Sequence, residues 1–275
     1  MILPAFETGR LPAGDGVLKP YVSFGSGPTA IVVVAGAADG LRRCIDIASF
    51  LAYFYRERAK TSRILVLSRR DPIPEEFGIP RHADDMIASV EQLGFGPAFW
   101  ECISAAGPVG QQIAVKRPDL VQGLILSSTY DYTCKQTKKV LRQWIEISQQ
   151  KAGLDALLEM VEQKFRPPPD VMARLDLSKQ ASDEGPRNSE RLTRILEELQ
   201  EIDQRSLVPQ ITCPTLVIGG ADDRIVPPAV HQEMAARLPN ARLELCPGFG
   251  HFNDTDNPDY ESHIQRFIDQ TLANA

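Results

Sequence analysis

An α/β architecture, a mostly parallel sheet flanked by helices with an inserted helical segment, follows from three features of this 275-residue chain. Short β-branched apolar runs alternate with amphipathic stretches over its first half. A purely helical pattern then intervenes, and the alternation resumes toward the C-terminus. Strands buried on both faces read as continuous apolar runs, and strands alternating with helices imply a parallel sheet covered on both sides.

Tyr21-Val22-Ser23-Phe24 predicts a strand, closed by the turn Gly25-Ser26-Gly27-Pro28. Ile31–Val34 is β-branched throughout and predicts a fully buried strand. Cys44 to Tyr55 carries helical spacing. Ile64–Leu67 predicts a second buried strand and His82 to Leu93 another helix. Phe99–Ile103 is the strand before a run of small residues, Ser104-Ala105-Ala106-Gly107. A helical pattern then runs through Val109, Ile113 and Ala114 until Pro118 closes it, and Leu124–Leu126 is the next strand. From Thr133 to Gln204 no buried-strand run occurs. Helices are expected at Val140–Ile147, Leu154–Phe165 and Glu190–Ile202, broken by Pro167-Pro168-Pro169 and by the polar stretch Ser178–Ser189. The strand Pro214–Gly219, a helix near Ala229–Leu238, the strand Leu243–Cys246 and a last amphipathic helix, Tyr260–Leu272, complete the pattern.

Composition narrows the function. Hydrophobic residues make up 43% and charged residues 24%, with a net charge of −6 and no basic tail, so nucleic-acid binding is not expected. The five cysteines, Cys44, Cys102, Cys134, Cys213 and Cys246, are scattered mostly through apolar runs. They fit reduced thiols, and no metal-ligand spacing is present. No apolar run reaches transmembrane length, and no basic segment followed by an apolar one opens the chain. A cytoplasmic protein acting on a small molecule, without metal, cofactor or membrane partner, is the expectation.

In open parallel sheets functional groups collect beyond the carboxyl ends of the strands. Ser104 stands at the bend between strand and helix, where tight geometry presents a serine as a nucleophile. Gly219-Gly220-Ala221-Asp222-Asp223 follows a later strand, and Asp223 is placed to accept a proton from a histidine ring. His251 follows the Gly248-Phe249-Gly250 turn after the last strand. It is the one histidine of four in such a position, which suits a general base. The small-residue loop Ala35–Gly40 and the bend offer the backbone N–H groups of Ala37 and Ala105 as oxyanion donors. Asp131 is a fallback acid. Arg69 and Arg70, in Ser68-Arg69-Arg70-Asp71, could bind a substrate carboxylate or phosphate, with Arg69 the candidate contact, or could pair with Asp71, Glu75 or Glu76 in a solvated loop. Tyr130, Trp144, Phe165 and Phe252 are candidate pocket aromatics.

With these residues in place the chain resembles the α/β-hydrolase superfamily over nearly its whole length. Ala114–Leu126 is similar to the helix and strand after the family's nucleophile, Cys213–Pro227 to its acid loop and Gly248–Phe252 to its histidine loop. The resemblance implies a Ser104–Asp223–His251 triad. It also implies a core of residues 1–132 and 205–275 and a helical cap over the site, residues 133–204. Small cofactor-free esterases, lactonases and proline-iminopeptidase-like enzymes with a single cap look most similar. The chain departs from the pattern at three places. The G-x-S-x-G elbow reads Cys102-Ile103-Ser104-Ala105-Ala106, the usual His-Gly is Ala35-Gly36, and the usual Asp-x-x-Gly-x-Gly loop is Ser68-Arg69-Arg70-Asp71.

The chemistry implied is cleavage of an ester, lactone or related acyl bond through an acyl-enzyme. The alternative is a catalytically degenerate binding protein on the same fold. Acyl transfer or carbon–carbon cleavage by the same triad also remains open, because a fold does not choose its chemistry.

Overall fold

In the computed structural model, which describes residues 3–13, 15–172 and 189–274, eight strands form one sheet in the order β1-β2-β4-β3-β5-β6-β7-β8. They are β1 (Phe6–Pro12), β2 (Leu18–Phe24), β3 (Thr29–Val34), β4 (Ser62–Leu67), β5 (Ala98–Ile103), β6 (Val121–Ser127), β7 (Thr215–Gly220) and β8 (Ala241–Cys246). β2 runs antiparallel to β1 and β4, and every later pairing is parallel. Between the strands lie α1 (Ala48–Phe54), α2 (Gly78–Gln92) and α3 (Gly107–Lys116). Among the described residues, α4 (Lys135–Ser148), α5 (Lys151–Phe165), α6 (Pro169–Met172) and α7 (Ser189–Glu198) lie between β6 and β7. α8 (Pro228–Arg237), α9 (Asn253–Asp256) and α10 (Tyr260–Ala273) complete the chain.

Alternation along each strand builds two cores. Val32, Leu65, Trp100, Leu124 and Val217 face one side, under α2, α3 and α8. Ile31, Val33, Ile64, Phe99 and Ile125 face the other, against α1 and α10. Burying one such side chain contributes about 1.5–3 kcal/mol, so this double coverage dominates folding.

Several elements extend or shift what the sequence predicts. β1 was not expected, because it carries no continuous apolar run and none of its residues is fully buried. It pairs with β2 at the edge, where Gly9 leaves room for the Tyr21 ring. A Cβ at Gly9 would lie 2.5 Å from that ring. α2 starts four residues before His82, because Pro80 in its first turn needs no amide partner. The Cys44–Tyr55 helix opens as a 3-10 turn, Cys44–Ile47, before α1. The polar break at Ser178–Ser189 lies outside the described residues except for Ser189, the first residue of α7.

The inserted helices are anchored at their two ends by one short antiparallel ladder. Thr133 donates its N–H to the Ile202 carbonyl at 2.9 Å, and Gln204 donates to Asp131 at 2.6 Å. Asp131 is buried beside Arg237, 3.0 Å away, which occupies its carboxylate with a structural ion pair.

Strand order locates the crevice. The chain leaves β3 toward β4 on one side, then returns to place β5 on the other side of β3. The loops after β3 and β5 therefore diverge, and a cleft opens at their carboxyl ends.

One buried charge pair on the α1/α10 side was not anticipated. Glu101 on β5 is 1% exposed and Arg58 4%. Arg58 donates to Glu101, and it also grips Glu261 through Nε at 2.8 Å and Nη2 at 2.7 Å. Tyr260 Oη donates to the other Glu101 oxygen at 2.8 Å. Because a stranded buried charge costs more than the pair contributes, Arg58→Met should lower unfolding free energy by about 3–5 kcal/mol. Arg58→Met with Glu101→Leu should recover part of that loss. Urea unfolding of the two variants checks this, and a double variant less stable than the single one contradicts it.

Candidate active site

The turn from β5 into α3 forces residue 104 into the left-handed region, with φ 50°. For a non-glycine residue that strain costs about 1–3 kcal/mol, so the surroundings must hold it. The Thr129 hydroxyl does part of this by donating to the Ser104 carbonyl at 2.6 Å. Close packing does the rest. A Cβ on Gly107 would fall 1.9 Å from Thr129 Oγ1. Cys102, standing where the family elbow has glycine, is fully buried, and burial pushes its thiol pKa far up. Its sulfur fits because the facing helix residue is Gly110, whose added Cβ would sit 2.4 Å from Cys102 Sγ.

Ser104 Oγ lies 2.9 Å from His251 Nε2, and His251 Nδ1 lies 2.8 Å from Asp223 Oδ2. The Asp223 carboxylate can only accept, so a neutral ring carries its proton on Nδ1 and turns a free Nε2 lone pair to the serine. Asp223 Oδ1 accepts the N–H groups of Ile225 at 2.8 Å and Val226 at 2.9 Å, which fixes the carboxylate plane. The three residues come from the ends of β5, β7 and β8. Asp222, beside the acid, is exposed.

Ala37 opens the 3-10 turn Ala37–Gly40, and Ala105 lies in the 3-10 turn Ser104–Ala106. N–H groups in a first turn have no partner within the helix. The two turns touch at Gly36, where an added Cβ would lie 3.0 Å from the Ile103 carbonyl and 3.2 Å from Ser104 Cβ.

Arg69 does not reach the cavity. It is 2% exposed, and its guanidinium donates to the carbonyls of Ala35 at 3.1 Å, Gly36 at 3.2 Å and Ala105 at 3.1 Å. Reading it as a substrate contact is corrected by that geometry: its Nη1 and Nη2 are committed to the backbone of the two loops that carry Ala37 and Ala105. Asp39 Oδ2 receives the Arg69 N–H at 3.0 Å and Arg191 Nη2 from α7 at 2.7 Å. Arg191 also bonds the Asp39, Arg69 and Arg70 carbonyls. Arg70 turns away from the site, to Asp85 and Asp15.

A cavity of about 80 Å³ opens over Ser104 and His251. Gly36, Ala37 and Ile103 form its floor, and Trp144, Met160 and Leu192 of the inserted helices form its roof. Trp144 and Phe252 are among the residues that line it. Tyr130 is buried outside its walls, below the turn after β6, and Phe165 instead packs edge-on against Phe54. Two groups escaped sequence reasoning. Asp254 lines the cavity, and burial with the nearby Glu101 charge raises its pKa to about 7. His231, in an ordinary amphipathic pattern, is wholly buried against Gly219, and burial pulls its pKa down to about 4. His82 is also buried and bonds Glu198 of α7 at 3.0 Å. Among the described residues no group of three or more His, Cys, Asp or Glu side chains is arranged to hold a metal, and no helix is long and apolar enough to cross a membrane.

The family model for the alpha/beta hydrolase fold matches residues 57–258. A protein of Pseudomonas savastanoi pv. phaseolicola, named "Putative carbamate hydrolase RutD", is 27% identical over 193 residues, 68% of this chain and 73% of its own. A thermophilic esterase from Thermogutta terrifontis superposes with a TM-score of 0.70 at 23% identity, over 96% of this chain and 99% of that one. An esterase from Exiguobacterium antarcticum superposes with a TM-score of 0.73 at 17% identity, over 97% of this chain and 100% of that one. The superpositions speak for the fold, and the family match spans most of the sequence. The chain belongs to the α/β-hydrolase fold family.

Proposed function

We propose that this hydrolase-fold protein is a serine hydrolase that opens an ester, lactone or related acyl bond through an acyl-enzyme. The observation that carries the reading is the unbroken relay from Ser104 Oγ through His251 to Asp223, with spacings of 2.9 and 2.8 Å. Ser104 attacks the carbonyl carbon while Nε2 takes its proton. The Asp223 carboxylate holds the ring and stabilises the imidazolium. The oxyanion is received by the N–H groups of Ala37 and Ala105, and each such donor contributes roughly 3 kcal/mol to the transition state. The imidazolium then gives its proton to the leaving group, and water releases the acyl group by the same steps in reverse. Residues 133–204 act as the cap, since α4, α5 and α7 supply the cavity roof.

Arg69 is the positioning residue of this machinery. Its bonds to Ala35, Gly36 and Ala105 set the orientation of both donor loops. One relative is named for carbamate hydrolysis and two neighbours are named esterases, and carbamates and esters alike present a carbonyl carbon bearing a heteroatom leaving group. Esters, lactones and carbamates are therefore the panel to assay.

Ser104→Ala should lower kcat on that panel by at least about 10³-fold and abolish labelling by a fluorophosphonate probe. Unlabelled wild-type protein contradicts the nucleophile assignment and favours the binding-protein alternative. Asp223→Asn should cost about 10⁴-fold in kcat, and adding it to a His251 variant should cost little more. Gly36→Ala should lower kcat about 10²-fold with KM nearly unchanged, because the new methyl separates the donor loop from the serine turn. Steady-state kinetics on a folded variant decides it, and unchanged kcat refutes the placement of the oxyanion donors.

A further inference from the structure

The cavity over Ser104 is walled mostly by carbon, and among the described residues no lysine or arginine lines it. Besides Ser104 and His251, Asp254 is the polar side chain that does. It is the second residue of α9, three positions beyond His251; its carboxylate takes a hydrogen bond from its own backbone N–H and forms no ion pair with any described residue. The charges that reach it are Glu101 from β5, Asp256 from its own helix and the His251 ring. The Tyr55 and Tyr260 phenols also feel it. The cations nearby are already committed: Arg58 to Glu101 and Glu261, and Lys164 of α5 to Asp256 at 2.6 Å.

A carboxyl left unpaired in an apolar site is unfavourable, and a ligand that brings its partner recovers that cost. An anionic ligand is repelled by it, and a hydrocarbon leaves it unsatisfied. An ammonium group satisfies it as a charge-assisted hydrogen bond. Aromatic rings strengthen that preference, because their faces attract cations. Trp144 and Phe252 line the same cavity, and the Phe252 ring already has the Lys164 ammonium 5.0 Å from its centroid.

We propose that the cavity selects a small substrate bearing a protonated amine, with the Asp254 carboxylate as its specificity-determining contact and Trp144 as the aromatic wall beside it. The proposal rests on reading the cavity as the substrate site, and its test is independent of turnover. In the Ser104→Ala protein, binding of n-butylammonium, of the similar-sized neutral 1-butanol and of butyrate is followed by calorimetry. At about pH 8, where the carboxyl is ionised, n-butylammonium should bind at least about tenfold more tightly than 1-butanol, with butyrate the weakest. The preference should fade as pH drops through about 7, the value to which the Asp254 carboxyl is raised. Asp254→Asn should bring amine and alcohol within about twofold at either pH, leaving 1-butanol affinity unchanged. Equal affinities at the higher pH, no measurable amine binding, or a preference that survives Asp254→Asn overturns the proposal. The pH series on the Asp254-containing protein decides the matter even where the asparagine variant does not fold. Amine binding together with absence of fluorophosphonate labelling in the wild type would leave this proposal standing while removing the nucleophile.

Discussion

One buried guanidinium orders the working end of this sheet. Arg69 emerges from β4, a strand that carries none of the relay residues, and spans the loops that follow β3 and β5. Three backbone carbonyls, those of Ala35, Gly36 and Ala105, meet on its planar fork. A lysine offers a point charge and cannot satisfy that spread of acceptors. Each of those peptide units is held with its carbonyl toward the arginine, and the loops that carry Ala37 and Ala105 take their direction from it. Desolvation weakens the charge that Arg69 carries, while Asp39, bonded to its N–H and lying 3.8 Å from its guanidinium, supports it.

Strain and support are distributed around the same point. Ser104 is held in an unfavourable backbone conformation by Thr129, by the helix that follows and by the loop packed on its Cβ. The inserted helices join this arrangement at their far side, because Arg191 shares Asp39 with Arg69. The roof of the cavity and the backbone of its floor are thus linked through a single aspartate. Asp39 also serves as the acceptor for both arginines, which places two cations and one carboxylate in a nearly dry space. The carbonyls around the two arginines accept their N–H groups, as such burial requires, while Asp39 Oδ1 has no partner among the described residues.

Much of this was legible in the chain because it depends on local rules. Apolar runs located β3 through β8, interrupted by Glu101 in β5 and by Glu244 in β8, and small residues marked the turn at Ser104. Glycines marked the turns before Asp223 and His251. The contacts that depend on distant segments were not legible. Arg69 reads as a loop arginine until β3 and β5 are placed on the same side of it. Glu101 sits in an otherwise apolar strand, and its partner Arg58 lies 43 positions away in sequence. Asp254 falls in the polar run Asn253–Asp256, which has the composition of a solvated helix start, yet the short α9 directs it inward. Aromatic content alone does not separate Trp144 and Phe252, which line the cavity, from Tyr130, which is buried in the core.

The pairing of Cys102 with Gly110 has a consequence for how such elbows evolve. Close approach of strand and helix requires a fixed total volume at their crossing, and that total is indifferent to which partner is the smaller. Here the missing methyl resides on the helix, one turn past the bend, and the strand carries the sulfur. A lineage can therefore exchange the two by compensating substitutions and keep the same crossing distance. Signatures that demand glycine at a strand position read one half of a two-body constraint, and they pass over proteins in which the other half satisfies it.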